Sequence, residues 1–135
     1  MKVLQLSSLL FLINVIYSYY LQNIIYHHFT LFITIFSILN HGYRVEEINI
    51  IKYIDKLLAH LFYLYIVIHE TPIIFIYNQY IIIYPILLAN IYLSEFIFPK
   101  YYIIIHLFFH IFSVISICIY LNNLSTYSYS LSSIL

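Results

Sequence analysis

An all-α bundle of about five membrane-crossing helices is the fold class this sequence predicts, and three observations predict it. Hydrophobic residues make up 64% of the 135-residue chain and charged residues 7%, with a mean hydropathy of +0.98. So little polar material cannot cover the surface of a soluble domain of this length. Gly occurs once and Pro three times, so little interrupts helices, and the short alternating strands of an outer-membrane barrel are missing. Finally, all five Lys and Arg residues, Lys2, Arg44, Lys52, Lys56 and Lys100, fall on one side of a bilayer if the chain crosses it five times. Basic residues collect in cytoplasmic loops, so that count of crossings accounts for every one of them. The single cysteine, Cys118, rules out an intramolecular disulfide framework. Zero net charge and the lack of a basic run argue against a nucleic-acid partner.

A helical span needs about 20 residues to cross a hydrocarbon core of about 30 Å. No charge occurs from Val3 to Tyr43, which leaves room for two spans, at about 3–20 and 24–41. The polar stretch Tyr17-Ser18-Tyr19-Tyr20-Leu21-Gln22-Asn23 joins them. Gly42 to Asn49, with Arg44, Glu46 and Glu47, is the most polar segment and reads as a solvated loop. A third span follows at about 53–69, and Glu70-Thr71-Pro72 reads as its turn. The stretch 73–97 is long for one crossing and short for two, so it reads as one helix kinked at Pro85. Phe98-Pro99-Lys100 turns again into a fifth span at 101–121, and the Ser- and Tyr-rich stretch 122–135 reads as a disordered tail.

With five spans the N-terminus is expected on the cytoplasmic side and the C-terminus outside or in a lumen. A competing reading takes residues 1–18 as a signal peptide with Lys2 as its basic flank, although Val15-Tyr17-Ser18 matches a small-residue cleavage context poorly. The topology of the remaining spans is the same in either case.

Ionisable groups at membrane depth are costly, so each one calls for a role. His106 and His110, four residues apart, share one helical face about one turn apart, which suits joint ligation of Zn²⁺. Ser37 and His41 share a face in the last turn of the second span, and Asp55 opens the third. His41, His106 and His110 together supply three nitrogens and leave one coordination position open, the set of a catalytic zinc site. Asp55 can orient a water or accept its proton, and Ser37 can donate a hydrogen bond to a ligand or substrate oxygen. By helical rise, His106 and His110 lie roughly 8 to 14 Å inside the end of their span, deeper than His41 and Asp55. Tilt or a later helix start has to close that offset. The other polar residues have plainer readings. His27 and His28 fall at the far end of the second span and His60 on another face of the third, while His69 and Glu70 pair at its end. Glu95 and Lys100 bracket the fourth turn, and Asn78 and Gln79 bond between helices.

The pattern Ser37-x-x-x-His41 ending one span, Asp55 opening the next and His106-x-x-x-His110 in the last resembles the signature shared by alkaline ceramidases, the progestin and adipoQ receptors and the hemolysin III proteins. Ile54-Asp55 is similar to the Leu-Asp pair that opens the third helix in the hemolysin III branch. The resemblance implies that the three His positions bind zinc and that the Asp and Ser positions support a water, in a family some of whose members hydrolyse lipid amides. It covers the stretches 24–72 and 101–121. Two departures stand out: the family has seven core spans where this chain fits five, and Asn40 replaces the usual aromatic before the second-span His.

A second hypothesis treats the chain as a noncatalytic membrane subunit or scaffold with incidental histidines. A channel component is a third, disfavoured by the lack of internal repeats and pore-lining charges.

Overall fold

The computed structural model describes the backbone of residues 2–42 and 49–132 and the side chains of residues 3–42 and 50–127. All regular structure among them is helical. Arg44, Glu46 and Glu47 lie outside the described residues. In chain order the helices are α1 (Lys2–Ser8), α2 (Phe11–Tyr20), α3 (Ile24–Gly42), α4 (Asn49–Tyr65), α5 (Thr71–Phe75), α6 (Ile83–Ile97) and α7 (Tyr102–Ser132). Five continuous segments are long and apolar enough to cross a membrane: Val3–Tyr20, Ile24–Gly42, Ile50–Phe75, Gln79–Ile97 and Pro99–Tyr127.

The first of these segments is α1 and α2 joined by a tight turn at Leu9 and Leu10, whose amides bond three residues back to Leu6 and Ser7 at 3.1 Å. Just before it, the Ser7 and Ser8 hydroxyls both donate to the Leu4 carbonyl, at 2.8 and 2.9 Å. Hydroxyls bonded back onto a helix carbonyl in this way bend the helix. At its other end, Gln22 adopts φ 55°, in the left-handed region. The Asn23 amide bonds to the Ser18 carbonyl at 2.9 Å and the Gln22 amide to that of Tyr19 at 3.0 Å, the Schellman pattern. Asn23 then caps α3, its Oδ1 accepting from the Tyr26 amide at 3.1 Å. Two residues thus end one helix and begin the next.

The sequence places a turn at Glu70-Thr71-Pro72, but the helix continues through it. Pro72 lacks an N–H and its ring clashes with the carbonyl four residues back. The chain answers with a π turn over Ile66–Glu70, in which the Thr71 amide reaches the Ile66 carbonyl. The Thr71 hydroxyl adds a second bond to that carbonyl at 2.9 Å. The reversal comes instead around Asn78, which caps the 3₁₀ turn Gln79–Ile82 through its side chain. Pro85 accordingly sits in the first turn of α6, where its missing donor costs little, and no mid-helix kink forms. Residues 122–132, read from sequence as a disordered tail, extend α7 as helix. No Gly or Pro interrupts them, and the Ser125 and Thr126 hydroxyls close onto the Asn122 carbonyl at 2.8 and 2.9 Å.

The first segment lies against both α3 and α7, α3 packs on α4, and α6 packs on α7. The buried residues divide between an apolar cluster, including Tyr26, Ile33, Phe62, Ile74, Ile81 and Tyr120, and small polar side chains. Ser8, Asn14 and Ser18 in the first segment, Thr30, Thr34 and Ser37 on α3, and His110, Ser113 and Ser116 on α7 are all buried. Small and hydroxyl-bearing residues let helices approach closely where lipid supplies no hydrophobic drive between them. Most hydroxyls are satisfied on their own helix, as Thr30 is by the Tyr26 carbonyl at 2.7 Å and Thr34 by that of Thr30 at 2.6 Å. The outer surface carries Ile, Leu, Phe and Tyr, including Ile16, Ile25, Ile68, Leu93, Phe96 and Phe108.

Candidate metal centre

The last turn of α3 and the second and third turns of α7 meet at the end of the bundle that includes the Lys100 turn. His41 comes from α3, and His106 and His110 come from one face of α7. One ligand nitrogen from each of the three lies within 4.8 Å of the others. His110 is 3% exposed, and the other two are half-buried. The ring centroids are separated by 5.0 Å for His41 and His106, 5.5 Å for His41 and His110, and 4.6 Å for His106 and His110. The nearest approach is between His106 Nε2 and His41 Nε2, at 3.2 Å. Four zinc ligands at about 2.0–2.1 Å in a tetrahedron are spaced about 3.3–3.4 Å apart, so the pair already stands at nearly that edge length. The sequence-predicted set His41, His106 and His110 therefore converges, and these side chains can hold a metal ion.

The depth offset expected from sequence is closed: His106, in the second turn of α7, stands level with His41, in the last turn of α3, their Nε2 atoms 3.2 Å apart.

Each α7 histidine is held from behind. His106 Nδ1 lies 2.6 Å from Oε1 of Glu95, which is 9% exposed in the last turns of α6. His110 Nδ1 lies 2.8 Å from Oγ of Ser7 on α1, a contact across 103 residues. Aromatic rings close the surroundings. Tyr102 stacks on His106 at 5.1 Å, and Phe11 meets His110 edge-on at 5.4 Å.

Asp55 and Ser37 stand near this cluster in different ways. Asp55 Oδ2 accepts from the Asn40 side-chain amide at 2.7 Å, so the residue beside His41 ties α3 to α4. Asn40 thus has a definite partner here. Ser37 is buried and bonds Ser8 at 2.9 Å; among the described residues neither it nor Asp55 hydrogen-bonds a histidine of the cluster. Because Ser8 gives its own proton to the Leu4 carbonyl, Ser37 is the donor to Ser8.

Two residues escaped the sequence reading. Glu95, assigned there with Lys100 to the fourth turn, points inward to His106, while Lys100 lies over the Tyr101 ring at 5.9 Å. A sequence signal for this existed: Glu95 and His106 flank Pro99-Lys100 at nearly equal distances, which brings them level in an antiparallel hairpin. Ser7 had no comparable signal, because its partner depends on how the first segment rotates against α7. The remaining histidines stay apart from the cluster. His27 approaches the Val15 carbonyl at 3.1 Å, His28 and His60 bond backbone carbonyls on their own helices, and His69 pairs with buried Glu70 at 3.1 Å.

With this geometry in hand, comparison with protein-family models, curated proteins and solved structures gives no match.

Proposed function

We propose that this chain is a multipass membrane protein whose His41, His106 and His110 hold zinc, and that it hydrolyses an amide bond of a membrane lipid. The observation carrying the reading is the convergence of three imidazole nitrogens within 4.8 Å at one end of a bundle of apolar helices. The donor set fits: three neutral imidazoles with a position left open are typical of catalytic rather than structural zinc. Bound there, zinc would supply Lewis acidity toward a carbonyl and a water acidified to near neutral pH.

The chain's own residues divide the remaining tasks. Asp55 keeps Oδ1 without a protein partner among the described residues while Asn40 fixes Oδ2, which suits it to orient a water or take its proton. Ser37 reaches a substrate oxygen only by releasing Ser8. The cluster lies between the last turn of α3 and the second and third turns of α7, close to the level at which the amide of an N-acyl lipid meets the polar headgroup layer. On the basic-residue argument that end is cytoplasmic, with the N-terminus on the same side and the C-terminus opposite. The likeness to the ceramidase and adipoQ-receptor signature, with two spans fewer, points to the same substrate class.

Metal analysis of the protein purified in detergent is the test, paired with fatty-acid release from an N-acyl lipid in vesicles. Zinc near one equivalent and measurable release are expected for wild type, with both lost in His106→Ala and His110→Ala. Zinc-free, inactive wild type would favour a noncatalytic subunit, for which one contact speaks. Without metal, His41 can donate to His106 and His106 to Glu95, a closed hydrogen-bonded chain that needs no ion.

A further inference from the structure

We infer that Glu95 and Ser7 are positioning residues that hold His106 and His110 in the Nδ1–H tautomer, so that both Nε2 lone pairs are available to one cation. The inference rests on the zinc reading for its consequence, though not for its geometry. An ionised carboxylate only accepts hydrogen bonds. The 2.6 Å contact between buried Glu95 and His106 Nδ1 therefore places the ring proton on Nδ1. The second case follows from counting protons. Ser7 has one hydroxyl hydrogen, and the Leu4 carbonyl at 2.8 Å can only accept it. The 2.8 Å contact with His110 is then satisfied by His110 donating Nδ1–H to Ser7 Oγ.

Both rings consequently carry lone pairs on Nε2. His106 directs its own at His41 Nε2 across 3.2 Å. Two bare lone pairs that close repel each other, so a proton or a cation has to lie between them. Glu95 sits behind the opposite edge of the ring from Nε2, which makes it an orienting carboxylate and not a fourth ligand. Such carboxylate–histidine–metal arrangements fix ring orientation and raise ligand basicity, and losing the outer partner typically costs 10–100-fold in metal affinity.

The full chain in detergent micelles allows two readouts. Long-range ¹H–¹⁵N spectra of histidine-labelled, metal-free protein should show Nδ1–H tautomers at His106 and His110. Zinc affinity by chelator competition should fall about 10–100-fold in Glu95→Leu. Glu95→Gln, whose amide oxygen still accepts from Nδ1–H, should retain most of it, and Ser7→Ala should lose affinity with His110 no longer held in one tautomer. An Nε2–H tautomer at His106 in the wild type, or equal zinc affinity in Glu95→Leu and wild type, would overturn the inference. If wild type binds no zinc, the zinc reading fails, and the tautomer spectra still decide the positioning role. They also decide it if Glu95→Leu does not fold.

Discussion

At the scale of single residues, the bundle interior sets satisfied hydroxyls beside one that is not. Tyr120, 1% exposed, bonds the Thr71 hydroxyl at 2.7 Å and reaches the Ile81 carbonyl, freed by Pro85, at 3.4 Å. The Tyr26 hydroxyl is fully buried with no partner among the described residues. Removing a satisfied buried hydroxyl from its partner costs about 0.5–1.5 kcal/mol, whereas removing an orphan relieves a desolvation penalty. Tyr120→Phe should therefore lower unfolding stability by about that amount, and Tyr26→Phe should leave it unchanged or raise it. Detergent unfolding curves of the two variants provide the check. Residue-level chemistry was only partly legible in the sequence. His41, His106 and His110 were readable because helical spacing and parity fix their faces and ends. Glu95 and Ser7 were not identified, because their roles depend on side-chain direction across an interface. Lys100, five residues on in the sequence, offered the plainer partner for Glu95.

At the scale of elements, the turns carry the lesson. The connection after the first segment was readable as polar, yet its compactness comes from one backbone event, the left-handed Gln22, which lets a Schellman ending and an Asn cap share adjacent residues. Replacing an N-cap Asn by Ala costs about 1 kcal/mol. Asn23→Ala should thus destabilise the fold by that amount in thermal or detergent unfolding, with zinc content unchanged because the turn lies at the far end from the histidines. The prolines misled for a physical reason. Pro72 and Pro85 look alike as breakers in sequence, but a proline in a first turn has no donor to lose, and a π turn can absorb one inside a long helix. Which accommodation the chain takes depends on neighbours such as Tyr120, whose hydroxyl meets Thr71 in one case and the Ile81 carbonyl in the other. The same holds at the C-terminal stretch, where polar composition suggested a tail and a run without Gly or Pro, its hydroxyls bonded back onto the helix, extends α7.

At the scale of the whole molecule, five long apolar helices running alternately up and down do most of the work. This arrangement brings the ends of α3 and α6 and the starts of α1, α4 and α7 to one side, and so unites Ser7 with His110, 103 positions apart. This much was legible, since the lengths of the apolar runs set the number of long helices, and among the described residues five have the length and composition needed to cross a membrane. The resulting claim is that the fold brings three imidazoles to one point to hold a metal. X-ray absorption at the zinc edge on the purified, full-length protein tests that claim most directly. Three nitrogen neighbours and one oxygen at about 2.0–2.1 Å, with imidazole scattering that weakens on His41→Ala, is the predicted spectrum. A sulfur neighbour, a spectrum unchanged by His41→Ala, or no zinc at all would contradict it.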